Sequence, residues 1–293
     1  MKWCAIALAG IFCLALPGCR AGRERRVVIG SKNFTEQIVL AELLAQHIET
    51  RTGLPVERRV NLGGTLICQQ ALRAGEIDLY VEYTGTALTA VLNEKPSGDP
   101  AEVYRRVKKA YAERFGFELT EPLGFNNTFA MVVRGEDARQ LRLHAISDIA
   151  PYAPRWRAGF GYEFMERPDG YRGWAQTYGL RFAESPRIMD LGLIYRALKE
   201  KQVDIVAGNS TDGLIDALGL VVLEDDRHYF PPYEAVPIVR PQTLERHPEL
   251  RAALRDFAGK IGEAEMRRLN YAVDGEHRDV AQVAREFLRD KGL

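Results

Sequence analysis

The chain has 293 residues, 46% of them hydrophobic, and its 40 Lys and Arg balance 40 Asp and Glu. That length and composition suffice for one large domain or two smaller ones. A formal charge of zero gives no support for nucleic-acid binding or for a polybasic membrane surface.

The first residues read as an export signal. Lys2 supplies the positive end, and Ala5 to Leu16 is an apolar run of about 12 residues, too short to span ~30 Å of hydrocarbon. It ends in Leu16-Pro17-Gly18-Cys19, which resembles a lipobox despite the unusual Pro17. Residues 1–18 are then a lipoprotein signal peptide, and Cys19 becomes the lipidated N-terminus. An ordinary cleaved signal with a chance cysteine is the alternative. Cys4 and Cys13 leave with the signal and Cys19 carries lipid, so Cys68 remains alone and no internal disulfide is expected. No later segment has about 18 consecutive apolar residues, so the mature body reads as soluble.

Short apolar runs then alternate with helical patterns. Val27 to Ile29 reads as a buried strand. Thr35 to Thr52 reads as a helix, with Ile38, Val39, Leu43, Leu44 and Ile48 at helical spacing, Thr35 as its cap and Gly53 as its stop. Val56 to Asn61 is a strand, Leu66 to Arg73 a helix, and Ile77 to Val81 a third strand. This β-α-β-α-β order predicts a doubly wound α/β lobe. A second α/β set follows: helix Ala101 to Arg114, strand Phe129 to Val133, helix Ile188 to Lys199, and strands Val203 to Ala207 and Leu220 to Leu223. The tail is helical over Leu250 to Gly259, Glu263 to Tyr271 and His277 to Arg289.

Signals for catalysis are weak. His47, His144, His228, His247 and His277 are scattered, with no metal-ligand spacing. There is no Gly-x-Ser-x-Gly elbow and no phosphate loop. Gly63-Gly64-Thr65 reads as a tight turn opening a helix, which can also present backbone N–H groups to a cleft. Asp225 and Asp226 read as a solvated turn, and Cys68, in LICQQAL, as a small buried hydrophobe.

Five segments carry a binding signal. They are SKNFTEQ at Ser31 to Gln37, NLGGT at Asn61 to Thr65, DLYVEYTGT at Asp78 to Thr86, GFNNTFA at Gly124 to Ala130, and FPPYEA at Phe230 to Ala235. In this order they resemble the substrate-binding subunits of ABC importers for quaternary-ammonium osmoprotectants such as glycine betaine, choline and carnitine. The resemblance runs from about Val27 to Leu293. It implies a two-lobed periplasmic-binding-protein fold of type II with the ligand in the cleft. Lobe 1 would comprise 26–127 and 233–293, and lobe 2 128–232, with crossings near Asn126 to Phe129 and Tyr229 to Tyr233.

A quaternary ammonium has no N–H to donate, so aromatic walls must hold it by cation–π attraction, and a betaine carboxylate needs fixed donors. The resemblance places Tyr83, Phe129, Asn209 and Tyr233 at the cage positions. Phe129 replaces a usual Tyr, which keeps the π face and loses a hydroxyl. Asn209 stands where many relatives have a ring, and Asn127 where some have Asp. Both changes point to weaker trimethylammonium binding or to a ligand with an additional polar group, for which ergothioneine is one candidate. For the carboxylate the resemblance points to Lys32, Thr86 and Arg167, with Glu163 and Asp169 as ion partners able to orient Arg167. Thr65 and Gln37 are further cleft candidates. An isolated basic residue is ordinarily a solvated surface charge.

The expected protein is therefore a monomeric, lipid-anchored extracytoplasmic binding protein. It would pass its solute to ABC permease and ATPase subunits, with no metal, cofactor, nucleic acid or bond-making step. Alternatives are a binder of another betaine-like zwitterion or amino-acid derivative, a sensor that presents its ligand to a membrane signalling partner, and an enzyme on the same two-lobed fold.

Overall fold

The computed structural model describes residues 26–293. The expected signal peptide and Cys19 lie outside the described residues. The chain first runs β1 (Val27–Gly30), α1 (Thr35–Thr52), β2 (Val56–Arg59), α2 (Thr65–Ala74) and β3 (Leu79–Tyr83). A helical turn, Thr84–Thr86, then leads through a π-helical turn, Ala87–Val91, towards α3 (Pro100–Phe115) and β4 (Glu118–Leu119). A second set follows: β5 (Phe129–Arg134), α4 (Gly135–Leu141), β6 (Ala158–Phe160), α5 (Tyr162–Glu166), α6 (Tyr171–Tyr178) and β7 (Arg187–Ile188). It continues through α7 (Leu191–Lys199), β8 (Ile205–Asn209), α8 (Leu214–Ala217) and β9 (Leu220–Leu223). The chain ends in β10 (Ala235–Val239), α9 (Pro241–Arg246), α10 (Leu250–Arg255), α11 (Glu263–Asp274) and α12 (Val280–Lys291).

These strands form two five-stranded sheets of like design, ordered β2-β1-β3-β10-β4 and β7-β6-β8-β5-β9. In the first, β1 pairs in parallel with β2 and β3, and β10 runs antiparallel to β3 and β4. In the second, β6 is parallel to β7 and β8, and β5 is antiparallel to β8 and β9. The α/β class and the two-lobed architecture follow from this pattern. The chain leaves the first sheet after β4 and returns through β10, and the two connections pair at Asn126 and Glu234.

The cores follow from the strand and helix periods. On β3 all five residues are buried: Leu79, Val81 and Tyr83 join the cluster under α1, while Tyr80 joins the cluster under α2 and α3. Helix α1 buries Val39, Leu40, Leu43, Leu44 and Ile48 against that sheet and against α10, α11 and α12. Each such side chain contributes roughly 1.5–3 kcal/mol when fully buried. Gly53 ends the helix in the left-handed region at φ 73° and returns its N–H to the Glu49 carbonyl.

Several sequence expectations need correction. Thr35 is the first helical residue and not the cap; Phe34 holds the extended capping position, and Thr35 Oγ1 donates instead to Asp274 Oδ1 at 2.6 Å. The helix expected from Ile188 starts at Leu191, because Arg187–Ile188 pair with Gly159 and Phe160 as an edge strand. The last helix starts at Val280 and not at His277. Asp279 caps it by accepting from Gln282 N at 2.9 Å, and His277 itself lies at φ 56°. Asp225 is no solvated turn: its carboxylate accepts from the backbone N–H of Tyr229 and Phe230 and from the Tyr178 hydroxyl, which pins the entry to the second connection.

Candidate ligand-binding site

Parallel strands end at one edge, and that edge is where open α/β sheets bind ligands. Lys32 follows β1, Thr86 follows β3, Tyr162 and Glu163 follow β6, Asp190 follows β7, and Asn209 closes β8. The two sheets turn these edges towards each other around one cavity, lined by Lys32, Phe34, Tyr83, Thr86, Asn127, Phe129, Tyr162, Glu163, Phe164, Arg167, Asp190, Asn209 and Tyr233 among others. Its free interior is about 90 Å³. One water needs about 10–15 Å³ by the same measure, so a solute of several heavy atoms fits. All eight residues expected at the site line this cavity. Thr65 and Gln37 do not; Thr65 is committed to Glu163 and Gln37 is buried behind Lys32.

The motifs meet because their backbones are tied together. Thr84 N donates to Glu234 O at 3.0 Å, and Glu234 N donates to Thr84 Oγ1 at 3.0 Å. Gly85 is required there: a Cβ would lie 2.6 Å from both Pro232 O and a Tyr233 ring carbon. Asn126 Oδ1 accepts from Tyr233 N at 2.5 Å, and Asn127 N donates to Tyr233 O at 3.0 Å. Phe129 and Asn209 are register partners on β5 and β8. The YTGT, GFNNT, GNST and FPPYEA segments thus form one seam between the sheets.

The rings sit in defined orientations. Phe129 packs 4.9 Å from Phe164 and 5.9 Å from Tyr233, centroid to centroid, and both contacts are edge-on. The Arg167 guanidinium lies 4.9 Å from the Phe129 centroid and 5.7 Å from that of Tyr233. Lys32 Nζ lies 5.1 Å from the Tyr83 centroid, and Phe34 stacks near that ring at 6.4 Å. These faces therefore already attract cations within the protein.

Neither cation is a solvated surface charge. Lys32 is 2% exposed and its Nζ lies 2.5 Å from Glu82 Oε1. Arg167 makes a bidentate pair with Asp169, at 2.9 and 2.6 Å, and lies 3.6 Å from Glu163 Oε2. Burial opposes the Arg167 charge, yet Asp169 raises its pKa. Burial likewise opposes ionisation of Asp169, but Arg167 holds that carboxyl below its usual range. Tyr233 OH adds a donor to Asp169 at 2.6 Å.

Glu163 clasps the two sheets. Its carboxylate accepts from Thr65 N at 2.5 Å and from Thr65 Oγ1 at 3.2 Å. A Cβ on Gly64 would meet the same carboxylate oxygen at 2.5 Å, so a larger residue there would push the Glu163 side chain aside. Desolvation pushes the Glu163 pKa up, but the Lys32 and Arg167 charges hold it below the ordinary value. The loop after Gly63 does present an N–H at the cleft, and a side chain from the other sheet takes it.

Sequence reasoning missed Glu36, which is 1% exposed. It accepts from Tyr83 OH (2.6 Å), Asn127 Nδ2 (2.8 Å), Thr211 Oγ1 (2.5 Å) and Asn270 Nδ2 (3.0 Å). Burial raises its pKa, with the four donors opposing. The one signal in the sequence was an acid in the first turn of a helix that follows a strand. Among the described residues Asn127 Oδ1 is buried with no hydrogen-bond partner. Asn209 gives its backbone N–H to Asp212 Oδ2 at 2.9 Å, and its amide reaches that carboxylate at 3.4 Å. Burial pushes Asp212 up to about 6. Asn209 also lines a neighbouring cavity, as do Phe34, Asp190 and Leu191. Among the described residues no group of three His, Cys, Asp or Glu is placed to hold a metal ion, and no helix is long and apolar enough to cross a membrane.

Known proteins place this geometry in a family. The family described as the substrate binding domain of ABC-type glycine betaine transport systems matches residues 25–290. The carnitine transport binding protein OpuCC of Listeria monocytogenes is 37% identical over 277 residues, covering 94% of this chain and 90% of that protein. A glycine-betaine-binding protein of Pseudomonas aeruginosa is 37% identical over 298 residues, covering 98% and 93%. A crystal structure of a glycine betaine/carnitine/choline ABC transporter protein superimposes with a TM-score of 0.75 at 36% identity, covering 91% of this chain and 98% of that one. With a family match over nearly the whole described chain and relatives of this identity, the chain belongs to the family of substrate-binding domains of ABC-type glycine betaine transport systems.

Proposed function

We propose that the cavity holds one quaternary-ammonium solute of the glycine betaine, choline or carnitine type, and that the chain delivers it from outside the cytoplasm to an ABC permease. The observation that carries this reading is the meeting of Tyr83, Phe129 and Tyr233, from three separate segments, around one small cavity. Charge supports it. The cations Lys32 and Arg167 face the acids Glu82, Asp169, Glu163 and Asp190, with Glu36 and Asp212 behind Tyr83 and Asn209. That surplus draws a cation. The ammonium lies among the rings, and the opposite end of a betaine turns to Thr86, Lys32 and Arg167.

Residues 26–127 with 233–293 and residues 128–232 act as two bodies that close on the ligand, and the Glu163–Thr65 clasp belongs to the closed form. A ligand that binds the closed form better shifts the population towards it. A second reading rests on Asn209, a small side chain in the wall shared with the neighbouring cavity. It admits a betaine bearing an extra ring.

Calorimetry with glycine betaine, choline, carnitine and a ring-bearing betaine tests both. Tyr83→Ala and Tyr233→Ala are each expected to weaken the bound solute by about 1–2 kcal/mol. Unchanged affinity in both folded variants rules the cage out. Tightest binding by the ring-bearing betaine selects the second reading.

Membrane retention through Cys19 completes the proposal, motivated by Leu16 to Cys19. A lipid chain with a second acyl group anchors a protein stably. Mass spectrometry of membrane-purified protein is expected to find acylated Cys19 as the N-terminus. An unmodified N-terminus elsewhere between Ala15 and Arg26 would sink the anchor.

A further inference from the structure

The two tyrosines of the cavity wall share an arrangement that shape alone does not call for. Tyr83 OH donates to Glu36 at 2.6 Å, and Tyr233 OH donates to Asp169 at 2.6 Å. Both acids are buried, Glu36 at 1% and Asp169 at 5% exposure. Burying a carboxylate is costly unless its charge is met, and a fold that needed only two rings would be served as well by phenylalanine.

A phenol that donates to a carboxylate carries more electron density on its oxygen and ring than one that donates to a neutral group. Linked polar groups polarise one another most strongly where the dielectric is low. The ring face is what an ammonium meets, and its attraction is electrostatic. The two acids differ in how their own charge is met. Asp169 is neutralised by the bidentate Arg167. Glu36 has only neutral donors: Tyr83, Asn127, Thr211 and Asn270. Among the described residues no basic side chain pairs with it. Burial favours the neutral acid, and the four hydrogen bonds oppose it by favouring the ionised carboxylate.

We propose that Glu36 is a positioning residue for cation selectivity. Through the Tyr83 hydroxyl, whose proton it accepts in a hydrogen bond, it polarises that ring. The site then prefers a quaternary ammonium to a neutral group of the same shape. This rests on the ligand class proposed above. Tyr233 does the same more weakly, because Arg167 cancels the charge of Asp169.

The test compares each ammonium with its carbon isostere: choline with 3,3-dimethylbutan-1-ol, and glycine betaine with 3,3-dimethylbutanoate. Each pair differs in the positive nitrogen and little else. In the wild type the ammonium member is expected to bind far more tightly. Tyr83→Phe, which keeps the ring, is expected to cut the ratio of the two affinities about tenfold. Glu36→Gln should reproduce that loss, and Tyr233→Phe should cut the ratio by about threefold or less. A merely structural role weakens both members equally and leaves the ratio unchanged; an unchanged ratio in a folded Tyr83→Phe variant overturns the inference, even if Glu36→Gln fails to fold. Equal wild-type binding of ammonium and isostere overturns it too, while leaving a cavity that recognises shape. Binding of neither member by the wild type removes the ligand class itself, and this inference with it.

Discussion

Glu82→Ala is expected to lower the free energy of unfolding by about 3–5 kcal/mol, the cost of leaving a buried charge without its partner. Lys32 and Glu82 are 2% and 0% exposed, and their charged atoms stand 2.5 Å apart. Glu82 also accepts from Tyr83 N at 2.8 Å and from Tyr80 OH at 3.2 Å. Its removal therefore leaves the Lys32 ammonium without its counter-ion and strands a buried backbone N–H, while Tyr80 OH keeps Gln69 Oε1 at 3.3 Å. Urea denaturation of the mature domain reads the loss. The pair need not be worth that much against an apolar replacement, because two charges were desolvated to form it. Lys32→Met combined with Glu82→Leu should thus recover part of the loss, and the double-mutant cycle isolates the coupling. A loss below about 1 kcal/mol for Glu82→Ala would mean that Lys32 turns outward to solvent when its partner goes.

This pair also shows where sequence reasoning stops. Lys32 and the ring of Tyr83 are legible because each sits in a motif beside a strand end, and parallel strands in one sheet must finish at a common edge. The same logic reaches Asn209 at the end of β8, whereas Phe129 and Tyr233 stand at or just before the starts of antiparallel strands and Arg167 follows a helix, and for these the resemblance of the motifs is the signal. What the motifs do not disclose is which charge faces which. The four donors to Glu36 lie 47, 91, 175 and 234 positions away from it. No local periodicity encodes such a convergence; it exists only after both connections between the sheets are made. The errors in element boundaries have a related cause. Ile188 continues an apolar helical pattern on paper, yet the open edge beside Phe160 claims it as a strand. Thr35 has a capping side chain, yet Asp274 from the last third of the chain competes for its hydroxyl. Tertiary partners outbid local propensity at both places.

Arg167→Ala is expected to act twice, and the two effects separate its roles. The first is stability. Arg167 and Asp169 side chains are 9% and 3% exposed, so removing the guanidinium leaves the Asp169 carboxylate buried without its counter-ion, held by the Tyr233 and Thr89 hydroxyls. A loss of about 3–5 kcal/mol follows. The second is ligand preference. Glycine betaine and carnitine carry a carboxylate that would lose a charge-assisted donor and meet an unpaired acid instead. Choline carries no carboxylate, and its ammonium gains an unpaired anion behind the Phe129 and Tyr233 rings. Affinity should therefore fall much further for the betaines than for choline. Asp169→Asn is the complementary change: it frees the guanidinium, keeps the Tyr233 contact as a neutral hydrogen bond, and should shift preference towards carboxylate-bearing ligands. Titrating wild type and both variants with glycine betaine and choline measures the shift directly. An equal loss for both ligands in Arg167→Ala, with no opposite trend in Asp169→Asn, would assign this pair to the scaffold and leave carboxylate recognition to Lys32 and Thr86.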